Sequence, residues 1–408
     1  MTRTPLTRIL AGAALTVVAG CGGQVPNIPG SIGTIGTLGK AVVDRPSFTE
    51  QDEARMAQEN ARKFEAQAKM WEQPLLEDYL TQIGQRVVAV ARPRPFPYRF
   101  RIVADPSVNA FTFGGGLVYF HAGLLARMEN EAQVAMVMAH EIAHVTESHV
   151  TKGIEGRYGL QLLGQLAGTA AGASGVIPAA ALGKAYEYTM SAAISGHGRS
   201  REGEADEVGL DYLVKAGWDP REAPRTFEVL LKEYGDPKPL QHFFYGSHPT
   251  NAARIQHTTQ LVQTKYARDV AERQLTVNTQ EFTRLTKDLV VATAKFDYDA
   301  KRFNTAAALF QKALRTDAKD PVPHHYLGKI ALETGSDAGA VDRAIGHLND
   351  AIQAKAEYAP AYRELGLAYY RKRDRTKAIE SFERYLALDP KARDAAKIRA
   401  SIAELKRD

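Results

Sequence analysis

Ala132-Gln133-Val134-Ala135-Met136-Val137-Met138-Ala139-His140-Glu141-Ile142-Ala143-His144 is the stretch on which the reading of this chain turns. From Ala132 to Ala139 it is apolar but for Gln133, has no glycine or proline, and reads as a buried helix. Residues four apart share a helix face, so His140 and His144 aim two imidazoles at one point. Glu141 follows directly, angled so that its carboxylate reaches a water at that point. His-Glu-x-x-His on a helix is the ligand-and-base spacing of zinc hydrolases. The bland reading is a core helix with incidental histidines; the apolar context and the residues downstream weigh against it.

A catalytic zinc is usually held by three protein groups with one position open. Ser200-Arg201-Glu202-Gly203-Glu204-Ala205-Asp206 is the best source of the third. Glu202 and Asp206 are four apart and share a face, whereas Glu204 points elsewhere. Glu202 is the expected third ligand. Asp206 is expected to accept a hydrogen bond from the free ring N–H of a ligand histidine, fixing its tautomer. His149, five residues past His144, would point away from both ligands on an ideal helix and reads as structural or surface. His121 and His197 are near the motif in sequence only. The expected cofactor is one zinc ion per chain.

At 408 residues the chain is too long for one ordinary core, so two domains with tails are expected. A net charge of +5 tolerates anionic lipid headgroups, and without a basic–aromatic stripe it does not point to nucleic acid. Cys21 is the single cysteine, which excludes an intrachain disulfide. Arg3 and Arg8 precede a short apolar run, Ile9 to Ala19, closed by Val18-Ala19-Gly20-Cys21. This reads as a secretory signal over 1–20 and resembles a bacterial lipobox. The resemblance implies cleavage before Cys21 and lipidation of its thiol, anchoring the protein to a membrane without spanning it. Gly22 stands where an inner-membrane retention signal would place Asp. The implied address is therefore the periplasm of a Gram-negative bacterium, on the outer membrane. Residues 21–46 read as a flexible tether.

Ser47-Phe48-Thr49-Glu50-Gln51 offers an N-cap, with helix expected to about Met70 and a second helix from Gln73 to Ala91. Tyr98 to Val103 alternates as a strand. Asn109 to Phe113 and Leu117 to Phe120 flank Gly114-Gly115-Gly116 and read as a hairpin. Tyr158 to Gly183 has no charged residue, yet its small residues and Pro178 favour a pair of packed helices, a lid, over a membrane span. Ser200 to Ala216, Pro224 to Tyr234 and Asn251 to Ala267 read as helices. From about residue 285 the chain repeats. Leu365-Gly366, Tyr369, Ala378, Phe382 and Pro390 have tetratricopeptide spacing. Leu327-Gly328, Ala344, Leu348 and Ala351 form a second copy, and Ala306, Phe310 and Ala313 a degenerate one. The expected fold class is α+β: a mainly helical zincin-type domain with a small sheet over 47–268, then an all-α repeat solenoid over 285–408.

His140-Glu141-Ile142-Ala143-His144, Glu202-x-x-x-Asp206 and His248-Pro249 with Arg254 together resemble family 48 of the metallopeptidases, which holds HtpX and the CAAX prenyl proteases. Periplasmic members with tetratricopeptide repeats match the whole architecture. The resemblance implies that Asn109, Ala110 and Phe111 form an edge strand to which a polypeptide substrate adds by main-chain hydrogen bonds. Glu141 would take a proton from water and return it to the leaving amine. For His248 three readings stand open: a solvated loop residue, an oxyanion donor in catalysis, or a fourth ligand that shuts the site. The implied activity is a zinc endopeptidase that cleaves unfolded or misassembled envelope proteins, its repeats docking clients or the outer-membrane assembly machinery. The competing class is a chaperone or scaffold with a latent zinc site, for which Glu141 would be superfluous.

Overall fold

The structure, a computed structural model, describes residues 48–156, 199–234, 251–335 and 339–407. The expectations for Cys21, Tyr158 to Gly183, His197 and His248 fall outside these residues. Helix α1 (Glu50–Glu65) starts on a capping box: Asp52 N–H donates to Thr49 Oγ1 at 3.1 Å and Thr49 N–H to Asp52 Oδ2 at 3.2 Å. It stops at Glu65, short of the expected Met70. Met70 instead bridges Val103, and Trp71 N–H donates to Ile102 O at 2.9 Å, so sheet pairing claims these residues. Helix α2 (Pro74–Val88) opens on proline, whose fixed φ suits a first turn, and buries Leu76, Leu80, Ile83 and Val87.

Strands β1 (Arg99–Val103), β2 (Ala110–Thr112) and β3 (Leu117–His121) form a sheet of order β1-β3-β2. β3 runs parallel to β1 and antiparallel to β2. The β2–β3 hairpin turns through Gly114, Gly115 and Gly116 at φ +80°, +57° and +79°, the left-handed region that glycine enters without penalty. Phe64, Phe111, Phe113 and Tyr119 interlock edge-to-face and stacked between α1 and the sheet.

A short helix α3 (Ala122–Arg127) leads to the motif helix α4 (Glu131–Thr146), whose sixteen residues are all buried. Such a helix needs polar anchors at its start. Asn130 Oδ1 caps it by accepting from Gln133 N–H at 3.0 Å. The Glu131 carboxylate accepts from Trp218 Nε1 at 2.7 Å, Tyr79 Oη at 2.5 Å and Asn278 Nδ2. A carboxylate there also meets the positive end of the helix dipole. Helices α5 (Arg199–Lys215), α6 (Glu222–Tyr234), α7 (Asn251–Thr264) and α8 (Ala267–Glu272) complete this body. Among the described residues no helix is long and apolar enough to cross a membrane.

Helices α9 (Thr279–Asp299), α10 (Phe303–Thr316), α11 (Pro321–Thr334), α12 (Ala340–Ala354), α13 (Ala359–Arg371), α14 (Arg375–Leu388) and α15 (Ala395–Arg407) stack in series. The Leu-Gly dipeptides have a packing reason. A Cβ on Gly328 would lie 2.7 Å from Leu348 Cγ, and one on Gly366 would lie 2.4 Å from the Phe382 ring. The repeats are not hung on a linker. One apolar core runs from Leu76 through Phe282 and Phe310 to Ile330. Val277 O and Asn278 O accept from the first N–H groups of α4, so the stretch before α9 caps the motif helix. Beside it, buried Arg127 pairs with Asp297 at 2.9 Å, and Lys312 Nζ donates to the carbonyls of Ala126 and Met128. Burial pushes the Lys312 ammonium down to about 8.

Candidate metal centre

The last two turns of α4 bring His140 and His144 ring to ring, with Nε2 to Nε2 at 3.0 Å. From α5, Glu202 Oε2 lies 3.4 Å from His140 Nε2, and Glu202 Oε1 lies 3.7 Å from His144 Nε2. All three side chains are buried. Tetrahedral bonds of 2.0–2.1 Å place neighbouring ligand atoms about 3.3 Å apart. The imidazole edge of 3.0 Å and the approach of one Glu202 oxygen to each ring are close to that spacing, so with a small adjustment the residues present could hold one ion. Glu141 is buried on the same helix. Beside it Met136, Val137, Phe227, Leu230 and Arg254 line a cavity of 10 Å³, about the room of one water.

With both Nε2 atoms turned inward, the ring protons belong on Nδ1. His140 Nδ1–H then donates to Asp206 Oδ1 at 2.9 Å. Asp206 is also gripped by Arg254 of α7, Nε at 2.7 Å and Nη2 at 2.5 Å, a bidentate pair. The guanidinium stacks on Phe227 of α6 at 4.1 Å. Burial alone would raise the Asp206 carboxyl, but the Arg254 charge and the hydrogen bonds from His140 and Arg254 outweigh it and hold it below the usual carboxylate range. Asp206 therefore ties α4 to α5 and α7 through charged hydrogen bonds.

His149 corrects the sequence reading. Helix α4 ends at Thr146, Ser148 takes φ +56°, and a new helical stretch starts at 149. His149 is consequently fully buried and sits Nδ1 to Nδ1 at 2.8 Å from His144. Its Nε2 reaches Glu204 Oε2 at 3.2 Å. The tautomers close in one direction: His144 Nδ1–H donates to His149 Nδ1, and His149 Nε2–H to Glu204. Glu204, which the helical wheel turns away from the ion, thus orients His144 through a second imidazole. Removing such a partner costs about 10–100-fold in metal affinity. His149→Ala is expected to weaken metal binding by that factor in a competition titration, and Glu204→Gln by less, because Glu204 is half exposed.

Gly209 was not legible as a site residue, though a signal existed: it follows Glu202 and Asp206 on one face, at i+7. Here α5 touches α4. A Cβ on Gly209 would stand 2.9 Å from His140 N and 3.0 Å from its Cα, backbone that cannot swing aside. Gly209→Ala is expected to wedge the helices apart, costing about 1–3 kcal/mol of stability in denaturant unfolding and weakening the ion site with it. His121, unassigned from sequence, bonds to Ser107 at 2.7 Å and approaches Asp105 at 3.6 Å. Asn109, Ala110 and Phe111 are buried at the edge of the sheet, where β3 is the one strand paired with β2 among the described residues.

Comparison with known proteins adds to this geometry. Residues 74–262 match the model of peptidase family M48, and residues 359–392 that of a tetratricopeptide repeat. The chain is similar to a putative beta-barrel assembly-enhancing protease of Vibrio cholerae, 39% identical over 166 residues, 40% of this chain and 34% of that one. It is 34% identical over 185 residues to the beta-barrel assembly-enhancing protease of Escherichia coli, 44% of this chain and 38% of that one. The metalloprotease LoiP of Escherichia coli is 30% identical over 162 residues, 40% of this chain and 61% of that one. The chain thus spans little more than a third of the length of the first two.

Proposed function

We propose, from the match of residues 74–262 to the model of peptidase family M48, that the chain is a zinc endopeptidase of the Gram-negative envelope. The observation that carries the reading is the buried His140–His144–Glu202 triad with Glu141 beside it. His140, His144 and Glu202 would hold the ion, and two imidazoles with one carboxylate suit zinc. When bound, zinc supplies Lewis acidity toward water and the scissile carbonyl. Glu141 takes the proton of the attacking water and delivers it to the leaving amine. Asp206, Arg254, His149 and Glu204 keep the two imidazoles in the ligating tautomer. His248 acts either as oxyanion donor or as a fourth ligand that holds the site shut.

The substrates are unfolded or misassembled envelope polypeptides, paired in extended form along Asn109 and the β2 residues Ala110 and Phe111. Main-chain pairing tolerates many sequences, which suits a quality-control role. The tetratricopeptide repeats dock clients or the outer-membrane assembly machinery, and a lipid on Cys21 holds the protein at the outer membrane. The names of the similar proteins support this setting. The test is casein cleavage before and after chelation. Dialysis against a chelator is expected to stop cleavage and added zinc to restore it; cleavage that persists without metal would refute the reading.

A further inference from the structure

We propose a second metal site, in the repeats, where His324 of α11 and His347 and Asp350 of α12 converge to take a divalent late transition-metal ion of the zinc class. One ligand atom from each of the three lies within 4.8 Å of the others. His347 and Asp350 are three apart and share a face of α12. His324 approaches from the neighbouring helix, with Nδ1 3.8 Å from Asp350 Oδ2 and its ring centre 6.2 Å from that of His347.

The independent sign of a ligand lies in the ring nitrogens. His324 Nε2–H donates to Ala318 O at 3.1 Å, which places the proton on Nε2 and leaves Nδ1 with a bare lone pair. That Nδ1 is buried and has no hydrogen-bond partner among the described residues, and the same holds for His347 Nδ1. Buried polar atoms are nearly always satisfied, so two orphaned imidazole nitrogens in one cluster, one of them 3.8 Å from the Asp350 carboxylate, call for a ligand such as an ion. The carbonyl behind His324 plays the orienting part that ligating histidines usually have.

The donor set is two imidazole nitrogens and one carboxylate oxygen, which suits zinc, cobalt or nickel rather than calcium or magnesium. A tetrahedral ion wants its ligands about 3.3 Å apart, so the trio must draw in by about an ångström. Asp350 is half exposed and can make that move. The bound ion would clamp α11 to α12, stiffening the second repeat, and it leaves the α4–α5 centre untouched. The site requires no assumption about peptidase activity.

The test uses the full chain carrying Glu202→Gln, which removes the first site from the count. Dialysed against zinc and then metal-free buffer, this protein is expected to retain one ion by elemental analysis, and to give a cobalt ligand-field spectrum on titration. Adding His347→Gln should abolish both signals. Asp350→Asn, at an exposed position where folding is not at stake, should weaken cobalt binding at least 10-fold. In the otherwise unchanged chain both variants should leave casein cleavage at its original level. A Glu202→Gln protein that takes no ion overturns the proposal. So does an ion that stays with unchanged affinity in Asp350→Asn.

Discussion

Glu141→Gln is expected to lower casein cleavage by about two to four orders of magnitude, the share that a positioned general base contributes. The same substitution should leave zinc content unchanged, because the proposed ligands are His140, His144 and Glu202. The neutral amide keeps the size of the carboxylate but cannot take a proton from water. Glu141 is buried on a helix whose every residue is buried, so zinc content and unfolding are measured beside cleavage to separate a lost base from a disturbed fold. The two readouts together separate the enzyme from a scaffold. Equal cleavage by both proteins would mean that Glu141 is not the base; cleavage lost together with zinc would mean that its carboxylate holds the site.

Asp206→Asn should have the largest effect on the fold. Its carboxylate faces Arg254 in a buried bidentate pair and His140 Nδ1 at 2.9 Å. An asparagine offers one acceptor and no charge, so the buried Arg254 guanidinium loses its bidentate partner and keeps only the more distant charges of Glu202 and Glu141. Breaking a buried ion pair from one side costs about 3–5 kcal/mol. Denaturant unfolding should show that loss, and a zinc competition titration a fall of about 10–100-fold from the disoriented His140. Arg254→Lys should not substitute for the native pair, since an ammonium has no fork to match the carboxylate or to stack on Phe227. A stability within 1 kcal/mol of the parent would show that the pair is not the tie between α5 and α7.

Much of this architecture was legible because periodic signals were strong. The run into His140 has the length and composition of a wholly buried helix, and α4 is one. Glycine chemistry placed the β2–β3 hairpin, and the Leu-Gly pairs placed the helix contacts of the repeats. The i, i+4 rule put Glu202 and Asp206 on one face, and the structure sets that face against His140. The rest depends on what a linear pattern cannot carry. His149 was turned away by an ideal wheel; the wheel ends at Thr146, and one left-handed residue, Ser148, reverses the result. Arg254 could be noted beside the motifs, but its burial against Asp206 and Phe227 is a tertiary fact. Gly209 needed the approach of two backbones to acquire meaning. The stretch between the two expected domains, 269–284, carried no reading of its own, yet it caps α4 and carries the core into the repeats. The end of α1 was misplaced because Met70 and Trp71 answer to β1 rather than to their own helix propensity.

His140, His144 and Glu202 are proposed to hold a zinc ion. An anomalous difference map at the zinc edge, from crystals of the full chain grown with zinc, tests it directly. A peak is expected about 2.0–2.2 Å from His140 Nε2, His144 Nε2 and a Glu202 oxygen, beside the Glu141 carboxylate. Zinc-loaded crystals with no peak among these three side chains would contradict it.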